Sequence, residues 1–435
     1  MTVDRSSPLV PKLRFSEFED AGEWRELRLV DVADRDKKWS FIGGPFGSNL
    51  KSSDYTTEGI RVIQLQNIGD AEFVDDYKIF TSEEKADELL SNNIYPGEII
   101  LSKMGDPVGR TCLIPDTNHR YVMCSDGIRL VVDEKQYSKY FIYLSINSSH
   151  FRSLVKNTAT GSTRKRIGLD DLKNLPMQVP SAPEQEKIAN CLGSLDDLIA
   201  AEGRKLEALR QHKQGLIQQL FPQPGENVPK LRFPEFQDAK VWCERPLSKL
   251  SEIVRGGSPR PIDAYLADVE NGLNWLKIGD VSKDSKYITH TDQRILPEAV
   301  KKTRVVNPGD FILSNSMSFG RPYLLKIRAC IHDGWIAVTR LCSAIEENFL
   351  YYLMTSGYSQ AYFEKSAAGT GVRNLNVNVV GNLPVRFPES VEQHCIADCL
   401  GSLDDLIAAR CRKLEALQQH KNGLMQQLFP VPERQ

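Results

Sequence analysis

Ile188, Leu192, Leu195, Ile199, Leu206, Leu209, Leu216 and Leu220 fall on a register that alternates steps of three and four, and charged residues fill most positions between them. Such a heptad seam predicts a long helix with one face to bury against another helix and one to leave in water. The pattern returns as Ile396, Leu400, Leu403, Ile407, Leu414, Leu417, Leu424 and Leu428. Two such faces in one chain bury most simply against each other, as a coiled coil. The seam is interrupted at Glu202 and, at the equivalent position, Arg410. Opposite charges at two helix midpoints suit an antiparallel pair and predict that these residues lie close together. Proline near 180 and 388 forbids an earlier start, and Phe221-Pro222 and Phe429-Pro430 end each helix. Roughly 38 residues at about 1.5 Å each make a rod of about 57 Å, enough to hold two globular domains apart.

Elsewhere the periodicity shortens. Runs such as GIRVIQL, GEIILS, IRLVV, DFILS and WIAVT, separated by Gly, Pro, Asn and Asp turns, read as short strands; 82–90, 138–154 and 347–365 read as helices. Residues 30–177 and 250–385 are therefore expected to form mixed α/β domains, each with a twisted, mostly antiparallel sheet. The fold class is α/β in the α+β sense.

An internal repeat organises these elements. VPKLRFSEFEDAGEW (10–24) returns as VPKLRFPEFQDAKVW (228–242), and 188–222 returns as 396–430 with 29 of 35 positions identical. Between the repeats the halves diverge but keep a skeleton in the same order. GGPFGSNL, IQLQNIGD, YPGEIILSKMGDPVGR, TGSTRKR and LKNLPMQVPSAPEQEKIA in the first half answer to RGGSPRP, NWLKIGDVS, NPGDFILSNSMSFGR, GTGVRN and VGNLPVRFPESVEQHCIA in the second. The expected organisation is a first variable domain at 1–180, a helix at 181–222, a second domain at 223–388 and a second helix at 389–435. A fixed frame carries two variable readers.

A length of 435 residues accommodates several cores, and a net charge of −2 means that any nucleic-acid surface is a local patch. Nine cysteines without framework spacing indicate reduced thiols. His394, Cys395, Cys399 and Cys411 read as helix packing rather than a metal site, because the other repeat has Lys187, Cys191 and Gly203. With no apolar run of about 20 residues and no signal-peptide core in MTVDRSSPLV, the expectation is a cytoplasmic protein without a membrane span.

The densest positive run is Arg152, Lys156, Arg164, Lys165 and Arg166 around a small-residue stretch that includes Ser162 and Thr163. Small residues allow close backbone approach, hydroxyls donate to phosphate, and arginine can bond both acceptors of guanine. Thr370, Arg373 and Asn374 occupy the corresponding place in the second half. A second marker carries Lys103, Asp106 and Arg110, matched by Asn315, Ser318 and Arg321; turn chemistry explains it equally well. A third, with Ser48 and Lys51 against Ser258 and Arg260, also reads as a strand end. The paired Asp196 and Asp197, duplicated at Asp404 and Asp405, are expected on the helix exterior.

Two divergent domains flanked by near-identical segments, each closing on an L-P-x-x-x-P-x-x-x-E-Q-x-x-I-A helix start, resemble the specificity subunits of Type I restriction-modification systems. The resemblance spans essentially the whole chain. It implies that each variable domain reads one half of a bipartite, asymmetric site in double-stranded DNA. It also implies that the helices act as ruler and docking platform for two modification subunits that methylate adenine at N6, with restriction subunits added. S-adenosylmethionine, ATP and Mg²⁺ would be used by those partners, with no cofactor, metal or catalytic residue in this chain. The sequence lacks a G-x-x-x-x-G-K-[ST] loop and a D-P-P-Y type tetrapeptide, in keeping with this. A coiled-coil scaffold for protein or sugar, and a self-sufficient nuclease or methyltransferase, are the competing readings.

Overall fold

The computed structural model describes residues 10–268, 272–282, 285–315, 319–367 and 375–431. It forms two compact units, one running to Glu202 and taking in the chain from Lys413, the other running from Gly203 to Arg412.

In the first unit a four-stranded sheet has the order Phe41–Gly43, Gly127–Leu130, Ile99–Ser102, Thr111–Leu113, all antiparallel. A five-stranded sheet has the order Tyr55–Thr56, Ile79–Thr81, Ile60–Ile63, Tyr121–Met123, Asn93–Ile94, with one parallel pair, Ile60–Ile63 with Tyr121–Met123. Ile99, Leu101, Ile128 and Leu130 pack on Phe141, Ile142 and Val155, whereas Ile100 and Cys112 pack on Ile63, Tyr121 and Met123. Both faces of the central strands are thus covered, which is why they read as unbroken apolar runs rather than alternating ones. Two sheets replace the single one expected.

The second unit repeats this plan. One sheet runs Glu252–Arg255, Trp335–Thr339, Phe311–Ser314, Pro322–Leu325, Tyr287–Ile288, and the other Leu266–Ala267, Gln293–Ile295, Leu273–Leu276, Ala329–Ile331, Arg304–Val306. Phe311, Leu313 and Ile336 face Phe349 and Phe363, while Ile312, Tyr323 and Trp335 face Leu276 and Ile331.

The helix expected at 138–154 is two, Lys139–Asn147 and Ser149–Thr158, because Ser148 leaves helical geometry and its hydroxyl accepts from Phe151 N at 3.3 Å. The helix at 347–365 breaks likewise at Ser356, giving Glu347–Thr355 and Gly357–Ala367.

The long helices are Ala182–Leu220 and Ser390–Leu428. In the first unit Lys421 Nζ meets Asp196 Oδ1 at 2.5 Å and Lys413 Nζ meets Glu202 Oε1 at 3.0 Å, so numbers rise on one helix as they fall on the other: the pairing is antiparallel. In the second unit Lys213 pairs with Asp404, and Arg210 Nη2 lies 3.8 Å from Cys411 Sγ, in the same opposed sense. Of the seam residues Leu192, Leu206 and Leu400 are buried, while Leu195, Ile199, Leu209, Leu403, Ile407, Leu414 and Leu417 are half-buried. Glu202 is 2 % exposed, and its carboxylate is held by Lys413.

The repeated ends join helix to domain. Arg14 grips Glu184 through both carboxylate oxygens at 2.8 and 2.7 Å, and Trp24 Nε1 donates to it at 3.2 Å. Arg232, Glu392 and Trp242 repeat the arrangement. Gln185 accepts from Ser138 N and donates to the Pro180 carbonyl, as Gln393 accepts from Glu346 N and donates to that of Pro388. These contacts explain why Arg, Trp, Glu and Gln recur in the repeats.

The expected exterior position holds for Asp197 and Asp405, which are exposed, but not for their neighbours. Asp196 takes a proton donor from Tyr140 (2.5 Å) beside Lys421, and Asp404 one from Tyr352 (2.6 Å) beside Lys213. Among the described residues no helix is long and apolar enough to cross a membrane.

Candidate nucleic-acid interface

In the first unit the tip of the hairpin after Ile99–Ser102 carries Met104–Gly105, which pairs antiparallel with Lys165–Arg166. Ile167 N donates to the Lys103 carbonyl at 3.0 Å, so the Lys103–Arg110 marker and the 160–166 loop form one surface. Gly161 (φ 109°) closes that loop: a Cβ there would lie 2.7 Å from the Arg164 carbonyl oxygen. Ser162, Thr163, Arg164 and Arg166 are exposed, Lys165 is half-buried, and the exposed Lys156 offers its carbonyl to Lys165 Nζ at 3.2 Å. Lys103, Lys156 and Arg164 form no ion pair among the described residues.

Two arginines of the same region are turned to internal use. Arg152 pairs with Asp70 at 3.0 Å and donates to the Gly109 carbonyl. Burial pulls its guanidinium below the ordinary range, with Asp70 opposing and Arg110 adding to the effect. Arg110 Nη2 donates to the Leu65 carbonyl at 3.1 Å, and its Nε is buried without a partner. Charge density in sequence does not distinguish such structural arginines from exposed ones.

The surface is built around a residue that sequence reasoning missed, Asp126, in the turn between Tyr121–Met123 and Gly127–Leu130. Its carboxylate takes Arg166 Nη2 at 2.5 Å and its carbonyl takes Lys103 N at 2.7 Å. The Gly43-Gly44 marker abuts the same turn: a Cβ on Gly44 would lie 1.7 Å from the Cys124 carbonyl oxygen.

Asp333 occupies the matching turn of the second unit. It accepts from Ser258 Oγ at 3.0 Å, approaches Arg260 Nη2 at 3.7 Å and His332 Nδ1 at 2.9 Å, and its carbonyl accepts from Arg255 Nε at 3.2 Å and Asn315 Nδ2 at 3.4 Å. A Cβ on Gly256 would meet the His332 carbonyl oxygen at 2.1 Å. Leu375 N donates to the Asn315 carbonyl, as Ile167 does to Lys103. Ser258, Arg260 and Asn315 are therefore brought together. Arg321 instead lines a cavity of about 1020 Å³ with Arg210, Lys286 and Tyr351. Ser318, Thr370, Arg373 and Asn374 lie outside the described residues. The available signal for the missed residues was an Asp-Gly pair after an apolar run in each half, CSDG and IHDG.

A model of the Type I restriction modification DNA specificity domain matches residues 23–211 and again 241–419. The chain is 25 % identical over 352 residues to the Type I restriction enzyme MjaVIII specificity subunit of Methanocaldococcus jannaschii, covering 78 % of this chain and 77 % of that one. It is 20 % identical over 382 residues to the putative type I restriction enzyme MjaX specificity subunit of the same organism, covering 85 % and 86 %. A solved structure, the S subunit of a Type-I restriction-modification system from M. genitalium, is 18 % identical with a TM-score of 0.58, covering 97 % of this chain and 99 % of that one. With both halves matched and the same two-sheet plan in each unit, this chain belongs to the Type I restriction modification DNA specificity family.

Proposed function

We propose that the chain is the DNA-specificity subunit of a Type I restriction-modification enzyme, each domain reading one half of a bipartite, asymmetric site in double-stranded DNA. The observation that carries this is the convergence of remote markers on one Asp-Gly turn in each unit: Lys103 and Arg166 on Asp126, Ser258, Arg260 and Asn315 on Asp333. Exposed cations beside small and hydroxyl residues suit phosphate contact, and exposed arginine suits base edges. A net charge of −2 places the attraction in these patches and in partners that close around the duplex.

The chain itself is non-catalytic in this reading. Its near-identical long helices offer equivalent surfaces to two modification subunits, which carry the methyl donor and methylate adenine; restriction subunits bring ATP- and Mg²⁺-dependent translocation and cleavage. The helices set the spacer, so inserting one heptad into either lengthens the gap between half-sites or abolishes binding.

Methylome sequencing of cells that express the chain with a cognate methyltransferase, against cells with the methyltransferase alone, tests the reading. A two-part N6-methyladenine motif that depends on this chain is expected. Its absence, with the two proteins soluble and associated, overturns it.

A further inference from the structure

We infer that Asp126 and Asp333 are specificity-determining positioning residues: Asp126 anchors Arg166 through Nη2 at 2.5 Å and Asp333 draws Arg260 Nη2 to 3.7 Å, so that the remaining guanidinium donors are presented to a guanine in each half-site. This rests on the DNA-reading function proposed above.

The two carboxylates sit on rigid ground. The first turn is closed by Gly127 N donating to the Cys124 carbonyl at 3.1 Å, the second by Trp335 N donating to that of His332 at 3.0 Å. Gly44 and Gly256 pack so tightly against these turns that neither tolerates a side chain. The arginines, in contrast, are long, rotamer-rich and exposed. The Arg166 side chain is 51 % exposed and Arg260 84 %, against 17 % for Asp126 and 35 % for Asp333.

A guanidinium has five donors in a planar fork. Arg166 gives Nη2 to Asp126 and has no other side-chain partner among the described residues. With its side chain 51 % exposed, the remaining donors are accessible, and the anchored nitrogen restricts how the fork can turn. Bidentate recognition of guanine O6 and N7 benefits from such restriction, and ordering the side chain beforehand lowers the entropy lost on binding. Without the carboxylate the same arginine is a mobile charge that attracts phosphate at any sequence.

The two units use the device differently. In the first, the arginine comes from the 160–166 loop; in the second, from the segment after Gly256-Gly257, with Ser258 also donating to the carboxylate. A fixed acceptor fed by different loops lets one fold present its fork from different positions, which is how two domains of one plan come to read different half-sites.

The test selects duplexes with randomised positions from a pool, using the full chain bound to its modification partner, at two salt concentrations, followed by sequencing. Wild type yields a two-part motif. Asp126→Asn and Arg166→Lys should each flatten the same guanine column in one half by about tenfold or more, with the salt dependence of Asp126→Asn at least as steep as that of wild type. Asp333→Asn and Arg260→Lys should flatten one column in the other half only. The inference is overturned if Asp126→Asn keeps every preference, if it and Arg166→Lys flatten different columns, or if affinity falls evenly with no column singled out, as for a phosphate contact or a purely structural role. A wild-type pool without any motif sinks the DNA-reading function itself.

Discussion

Gly109 and Gly320 show how single residues prepare the surface. Their φ angles are +72° and +70°, and a Cβ would come within 2.6 Å of Val155 and 2.9 Å of Phe363. Each turn thus needs both the left-handed backbone and the missing side chain. Gly109→Ala should cost about 2 kcal/mol or more, read as a lower denaturant midpoint. Lys286 gives a pH signature. Its ammonium lies over the rings of Tyr352 (4.6 Å) and Tyr351 (4.8 Å), and burial holds it below the ordinary lysine range, Asp404 opposing. The unfolded chain then binds more protons than the folded one in the window below about pH 10, so stability rises with pH there. Relative to Lys286→Met, wild type should gain thermal stability between about pH 8 and about pH 10; an unchanged difference would show that the site titrates normally.

At the scale of elements, the joint between helix and domain is the most exposed to single changes. Glu184 and Arg14 have side chains only 1 % and 7 % exposed, and Trp24 shares the same carboxylate. Glu184→Ala leaves a buried guanidinium without its partner and should destabilise the first unit by about 3 kcal/mol or more, measured by urea unfolding. Arg14→Met together with Glu184→Met should cost less than Glu184→Ala, because no uncompensated charge remains. The same elements show what the sequence conveyed. The long helices were legible because their seam repeats over many turns and the repeat fixes their ends. The breaks at Ser148 and Ser356 were not, because serine within an apolar pattern caps a new helix only when the chain bends there, and the bend is set by packing of the flanking helices on the sheet.

At the scale of the whole molecule, each unit is completed from a distant stretch of chain. Phe429 stacks on Phe141 at 5.5 Å and meets Trp24 edge-on at 6.1 Å, whereas Phe221 lies 5.3 Å from Phe349 and 6.4 Å from Trp242. Phe429→Ala should therefore destabilise the first unit and Phe221→Ala the second, each by about 3–5 kcal/mol. Hydrogen exchange resolved along the chain checks this: protection should fall around Trp24 and Phe141 in one variant and around Trp242 and Phe349 in the other.

The sequence alone determined the duplication, the paired antiparallel-compatible helices and the α/β character of the divergent domains, because these rest on periodicity and on near-identity between repeats, both local properties of a linear string. Burial and partnership across the fold were decided only by tertiary structure. Arg152 and Arg110 read as surface cations until packing turned them inward, and Asp196 and Asp404 as helix exterior until a tyrosine and a lysine reached them. Asp126 and Asp333 were not singled out along the chain. Their role as the meeting point of remote loops depends on distances between segments up to 78 residues apart, as for Arg255 and Asp333, and hydrogen-bond geometry between such segments is settled by how the strands stack rather than by any pattern along the chain.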